Sequence, residues 1–330
     1  MEHKQRPQPD RQRATVWGAL VADAAALGLH WIYSPQRVQE IAPKYPEFME
    51  PKASYYEGVK GVFAHENRRA GDLTQYGEQV LVILEMLATN GGEFELADYQ
   101  RTWHAHFAEG NFNGYRDVAI RETLKNLDAA TADADDEGLI YEQPQGADDD
   151  QIPALAKLGP LVAARSNAES LLDEAEAAIR ATNNNDKAVA YGRFATVLLQ
   201  QLLTSCDLDT AVDKALEVAS DDVRKVVEHA REHKGDDPVK YGEEIGSDCH
   251  LDHAFPCLLQ NFFGAESFAH AIRRNIFTGG DSAGRGSFLG AIAGAYFSMD
   301  VADGIPAEWI EKLHCREQVE AWMKPAFPQI

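Results

Sequence analysis

The run Gly279-Gly280-Asp281-Ser282-Ala283-Gly284-Arg285-Gly286 puts a carboxylate, a hydroxyl, a guanidinium and four glycines within eight residues. It lies between two apolar stretches of helical spacing, residues 265–277 and 286–299. Side chains of this kind support two chemistries at such a place. Asp281 and Ser282 can cap the second helix, or the exposed amides of a helix start can receive an anion. A dinucleotide loop or P-loop fails its context test, because no strand precedes the glycines and the next glycine after Gly286 is Gly290. Capping, with close helix packing through Gly290 and Gly294, is the plainer reading.

A second run, Asp72-Leu73-Thr74-Gln75-Tyr76-Gly77-Glu78-Gln79, ends a long irregular stretch and opens a helix. Carboxylates near a helix start are favoured by its dipole, and the same groups could hold a hard cation or a ligand. Asp23 lies inside an Ala-rich helix that reads as buried, where a carboxylate needs a partner. In Asp248-Cys249-His250-Leu251-Asp252-His253 the histidines are three apart and share a helical face. With no His-Glu-x-x-His pattern, zinc is the lesser reading there. His104 and His106, two apart, diverge on a helix and read as structural.

The elements that position these groups are helices. Apolar residues recur at helical spacing over 14–30, 79–88, 96–109, 117–128, 152–164, 168–182, 187–204, 208–219, 222–234, 254–263, 265–277 and 286–299. Alternating strand patterns are nearly absent. Residues 33–69, with four prolines, read as a long irregular connection. Residues 131–150, with Asp135, Asp136 and Glu137, read as a solvated acidic loop. Asp186 and one of Asp207 or Asp209 suit helix N-caps. The expectation is one all-α domain over 14–300, with a flexible tail at 1–13 and a C-terminal extension at 301–330 packed on the domain.

Composition narrows the partners. The chain has 330 residues, a net charge of −22 and 45% hydrophobic residues, enough for a large core. Such acidity disfavours nucleic acid and anionic membrane as partners. No run of about 18 apolar residues marks a membrane span, and no apolar leader is visible near Met1. Four cysteines without a CxxC pair suit a reducing compartment, so cytoplasm is the default.

Taken together, these segments resemble the ADP-ribosylglycohydrolase family over roughly residues 14–300. Gly18-Ala-Leu-Val-Ala-Asp23-Ala resembles its opening GALxGDALGxPxE helix, and Leu158-Gly159-Pro160-Leu161-Val162 its R-x-x-P-L segment. Ala254-Phe255-Pro256-Cys257 resembles its A-L-P stretch. Gly279-Gly280-Asp281 and the helix after it resemble GGDTDTxxAxxGAxxGA, with Gly290 and Gly294 in ungapped register. The resemblance implies an all-α orthogonal bundle. It also implies a cleft in which two magnesium ions, held by the opening-helix Glu, a TDDT loop and the paired Asp, support hydrolysis of a glycosidic bond to ADP-ribose.

This chain departs from that pattern. His30 replaces the opening-helix Glu, Ala283 the second Asp, and Gly284 and Arg285 follow. Either Asp72-Leu73-Thr74 or Tyr76-Gly77-Glu78-Gln79 stands for the TDDT loop. The pattern is closer to the J-type crystallin branch. One reading keeps a hydrolase of ADP-ribosyl or related nucleotide-like groups. In it Asp281 with Glu78 or Asp72 is catalytic, and Asp281, Ser282 and Glu78 hold one magnesium ion or none. Asp23, His30, Tyr76, Gln79, Ser282, Gly284 and Arg285 line the ligand. The other reading is an inactive binding or scaffold member in which Arg285 replaces the metal. The sequence leaves the oligomeric state open.

Overall fold

The computed structural model describes residues 8–133, 140–204 and 207–328. Asp135, Asp136 and Glu137 of the acidic loop, residues 1–7 of the expected tail, and Cys206 lie outside the described residues. The first five α-helices are α1 (Pro9–Ala26), α2 (Pro35–Ile41), α3 (Gln75–Thr89), α4 (Leu96–Phe107) and α5 (Val118–Asp133). Then come α6 (Leu158–Arg165), α7 (Leu171–Arg180), α8 (Asp186–Leu202), α9 (Leu208–Leu216), α10 (Asp221–Glu232) and α11 (Pro238–Ile245). The last are α12 (Leu251–Phe263), α13 (Phe268–Thr278), α14 (Ser282–Phe297), α15 (Ala307–Glu311) and α16 (Arg316–Ala326). Among the described residues only isolated bridges, and no strands, occur. The architecture is the all-α bundle that the periodicity predicts.

Two helices form the axis. Residues 14–26 of α1 and Ser282–Ala295 of α14 are buried on every side, as befits helices apolar all round. They make the most extensive helix pair in the molecule. Their backbones meet where side chains are missing: a Cβ on Gly18 would strike the Gly290 carbonyl, and one on Gly294 the Ala14 carbonyl. The close packing expected of Gly290 and Gly294 is therefore present.

Several outer helices are amphipathic and carry side-chain caps. α10 buries only Val223, Val227 and Ala230, and Ser220 accepts the Val223 amide at its start. Asp207 caps α9 through the Thr210 amide. At α8 the cap is Asn185, one residue before Asp186, because its side chain reaches the amides of Lys187 and Ala188. α1 begins at Pro9, five residues before the expected start, since Pro suits the first helical turn. α16 packs on α3 and buries Val319, Met323 and Ala326.

The long connection is irregular, with α2 and one 3-10 turn, Ala53–Tyr56. Ile32 stitches it to the axis by isolated antiparallel bridges to both Gly61 and Gly280. Among the described residues no helix is long and apolar enough to cross a membrane.

Candidate functional site

The site is built at the start of α14. Gly279 and Gly280 turn the chain with φ of 74° and 63°, which glycine adopts without strain. The Gly280 carbonyl accepts the Trp31 amide at 2.8 Å, and the Asp281 amide donates to Ser247 O at 2.8 Å. Asp281 stands at the N-cap position, yet its side chain makes no capping bond. The carboxylate lies against the Gly284 backbone, where any Cβ would overlap it. Gly284 therefore makes room for Asp281.

His30 faces this carboxylate. Its Nδ1 accepts the Ala283 amide at 3.1 Å, so in the neutral ring Nε2 carries the proton. Nε2 points at Asp281 Oδ1, 3.4 Å away. Burial, with His65 and Arg285 nearby, pulls the His30 pKa well below the ordinary histidine value. Burial in turn raises Asp281 to about 7, against the opposing charge of Arg285. Tyr76 meets His30 edge-on at 5.7 Å, and His65 lies 5.2 Å from it. Burial brings His65 down to about 3. Trp31, at φ 62°, covers the group and stacks on His65. A bulky side chain at positive φ is strained.

What distinguishes this region is unmet hydrogen bonding. Both oxygens of Asp281, Ser282 Oγ, His30 Nε2, Tyr76 Oη and His65 Nε2 are buried without a hydrogen bond of good geometry, the carboxylate's polar neighbours being the Gly284 amide and His30 Nε2. A buried polar group left unpaired costs about 1–3 kcal/mol. A cluster of them marks a place that takes up water or a polar ligand.

The other residues named from sequence divide. Tyr76 belongs to the cluster, and Gln79 is buried on the same helix with its Oε1 unpartnered. Glu78 turns away, 3.2 Å from Arg68 Nη2 and 3.1 Å from His106 Nε2. Asp72 bonds His314 Nδ1 at 2.7 Å and the Arg69 amide at 2.9 Å. Asp23 joins α1 to α3, accepting the Thr74 amide at 2.8 Å and the Thr74 hydroxyl at 2.5 Å. Burial raises its pKa to about 7. Arg285 is fully buried and spends its donors on Asn275 Oδ1 (2.8 Å) and the carbonyls of Ser247, Asn275 and Gly279. It ties the glycine turn to α13 and to the 246–248 segment. The guanidinium expected to face an anion is held by the chain itself.

The structure adds residues the sequence reading passed over. Asp117 reads as the first residue of a helix, and it does accept the Ile120 amide at 2.9 Å. It is also buried beside Gln75 and raised to about 6, chiefly by burial. Lys157, buried and bonded to Thr182 Oγ1, is lowered to about 7 by burial, with Asp117 and Asp149 opposing. A single lysine in the apolar run Ala154-Leu-Ala-Lys157-Leu-Gly-Pro was the available signal. His65, inside the irregular stretch, offered none.

These donors do not fit a pair of magnesium ions. Magnesium takes oxygen ligands in near-octahedral array, usually including carboxylates. Of the expected set, Asp281 supplies one carboxylate, Glu78 is ion-paired elsewhere, and His30 presents an N–H. Among the described residues no three His, Cys, Asp or Glu side chains converge on a metal position.

The family model for ADP-ribosylglycohydrolases matches residues 3–329. This chain belongs to the ADP-ribosylglycohydrolase family. It is 28% identical to crystallin J1A of Tripedalia cystophora over 321 residues, 92% of each chain. Crystallin J1B of the same animal is 28% identical over 330 residues, 94% of each. Among solved structures, an ADP-ribosylglycohydrolase-related protein complex superposes with a TM-score of 0.71 at 22% identity over 97% of each chain. That likeness is one of fold.

Proposed function

We propose that the protein binds an ADP-ribosyl or related nucleotide-like group at Asp281 and hydrolyses its glycosidic bond without a magnesium pair. The observation that carries this is the fully buried Asp281 carboxylate, held only loosely by the Gly284 amide and His30, with Ser282 Oγ and Tyr76 Oη buried and unpartnered. A carboxylate raised to about 7 is matched to proton transfer near neutral pH. Asp281 takes a proton from water, whose oxygen bonds to the anomeric carbon. The glycosidic bond breaks with its electron pair on the leaving atom, which takes a proton from solvent. Ser282, Tyr76 and Gln79 offer hydrogen bonds to ribose hydroxyls, and His30 Nε2–H orients Asp281. Entry requires the Trp31 and His65 cover to move, since both are nearly fully buried.

That enclosure favours a second reading, a non-catalytic scaffold, and two relatives named as crystallins agree with it. Calorimetry with ADP-ribose in magnesium and in EDTA, with product assays on an ADP-ribosylated peptide, separates the two. Hydrolysis is expected in EDTA, with Asp281→Asn slower by roughly 100-fold or more. Absence of binding in both buffers would leave the scaffold.

A further inference from the structure

We propose a second binding site, for a neutral, hydroxyl-rich ring such as a pentose, in the cavity between the start of α2 and the end of α11. The cavity has about 240 Å³, and Asp281 is not in its lining. Tyr33, Pro35 and Lys60 line it from the side of α2, and Glu243, Ser247 and Asp248 from the side of α11. Both sides are held in place. The Tyr33 amide donates to the Lys60 carbonyl at 2.9 Å, and the Lys60 ammonium lies 4.9 Å from the centre of the Tyr33 ring. Gln36 Nε2 donates to Glu243 Oε1 at 3.2 Å and so joins α2 to α11. Asp248 lies 2.9 Å from His253 Nδ1 and accepts the His250 amide at 3.1 Å. Ser247 gives its carbonyl to the Asp281 amide and to Arg285, so this residue stands between the cavity and the Asp281 chamber. Its hydroxyl has no partner among the described residues and is not a buried atom.

The charges of the lining select the ligand. Lys60 pairs with no carboxylate among the described residues, yet it shares the cavity with Glu243 and Asp248. An anion drawn to Lys60 would meet both carboxylates, and a cation drawn to them would meet the ammonium. A neutral polyol meets neither penalty, because each hydroxyl donates one hydrogen bond and accepts through two lone pairs. Its hydroxyls donate to Glu243 and Asp248 and accept from Lys60 and Ser247. Hydrogen bonds to ionised groups are the stronger kind. Tyr33 and Pro35 give the C–H side of the ring an apolar surface.

Saturation-transfer NMR with D-ribose on the full-length protein tests this, with inorganic phosphate and methylammonium as competitors. Ribose should receive saturation from the native protein, and neither ion should displace it. Lys60→Met keeps an unbranched stem over Tyr33 and removes the donor, and Glu243→Leu removes an acceptor. Each should weaken ribose binding about tenfold or more, with circular dichroism confirming that the variant is folded. Asp281→Asn should leave ribose binding unchanged. Transfer that is lost in Asp281→Asn and kept in Lys60→Met would put the sugar in the Asp281 chamber and overturn the proposal. Displacement by either ion, unchanged affinity in both cavity variants, or no transfer from the native protein would overturn it as well.

Discussion

At the scale of single residues, Asp281 and Arg285 exchange the roles their types suggest. Asp281 has the position of a cap and makes no capping bond, whereas Arg285 looks free for a ligand and is fully bonded. Arg285→Met should therefore destabilise the protein by about 3 kcal/mol or more in urea unfolding, because it strips the carbonyl partners and leaves Asp281 without its counter-charge. A loss of ligand affinity at unchanged stability would contradict this. Asp281 also carries a pH signature. Its folded pKa, about 7, lies above the unfolded value near 3.8. Between these values the unfolded chain has lost the proton that the folded chain keeps, so stability falls as pH rises from about 4 to about 7. Asp281→Asn removes that term, and its amide oxygen can still accept from the Gly284 amide and His30 Nε2–H. Its melting temperature should match the native protein at pH 4 and exceed it at pH 8. His65 acts in the opposite sense. Folded, it stays neutral down to about 3. The unfolded ring gains a proton below about 6.5, so stability falls as pH drops through that window. His65→Phe should lose less stability than the native protein between pH 7 and pH 4.5 in urea melts.

At the scale of elements, the helices were legible because burial imposes a 3.6-residue period on outer helices such as α10. The start of α1 was less so, because residues 9–13 are polar apart from Pro9 and lie outside the buried stretch, so no apolar period marks them. The glycine spacing in α14 was legible and has a steric reason. Gly290→Ala would drive a methyl into the Gly18 carbonyl and Ala22, and both are backbone or short, rigid groups. About 3 kcal/mol of destabilisation is expected from such overpacking. Gly235→Ala, which meets nothing within 4 Å, should leave the melting temperature within a degree or two of the native value. The site was only half legible for a related reason. Which face of α3 looks inward is decided by Asp23 gripping Thr74, a contact between residues 51 apart in sequence. That grip fixes the start of α3, with Tyr76 against His30 and Glu78 with Arg68 and His106. Nothing local to the 72–79 run reports it. His65 and Asp117 are brought in by the irregular stretch and the start of α5, where spacing carries no signal.

At the scale of the whole molecule, the charge of −22 acts against the proposed ligand and against the fold itself. Several surface cations already serve two carboxylates each: Lys187 bonds Asp150 and Asp252, and Arg231 bonds Asp209 and Asp213. The remaining acidic groups repel one another through solvent, and that repulsion is screened by salt. Going from about 0.01 M to about 1 M salt shortens the screening length from about 30 Å to about 3 Å. The melting temperature should rise over that range, and the association rate of ADP-ribose, a pyrophosphate anion, should rise with it. Proteins that attract anionic ligands show the opposite dependence on salt. The buried terms answer to a different variable. Asp281 lies out of reach of mobile ions, so the stability gap between Asp281→Asn and the native protein at pH 8 should stay nearly constant while both melting temperatures climb. A gap that closed with added salt would place Asp281 in contact with solvent and remove the physical basis for its raised pKa.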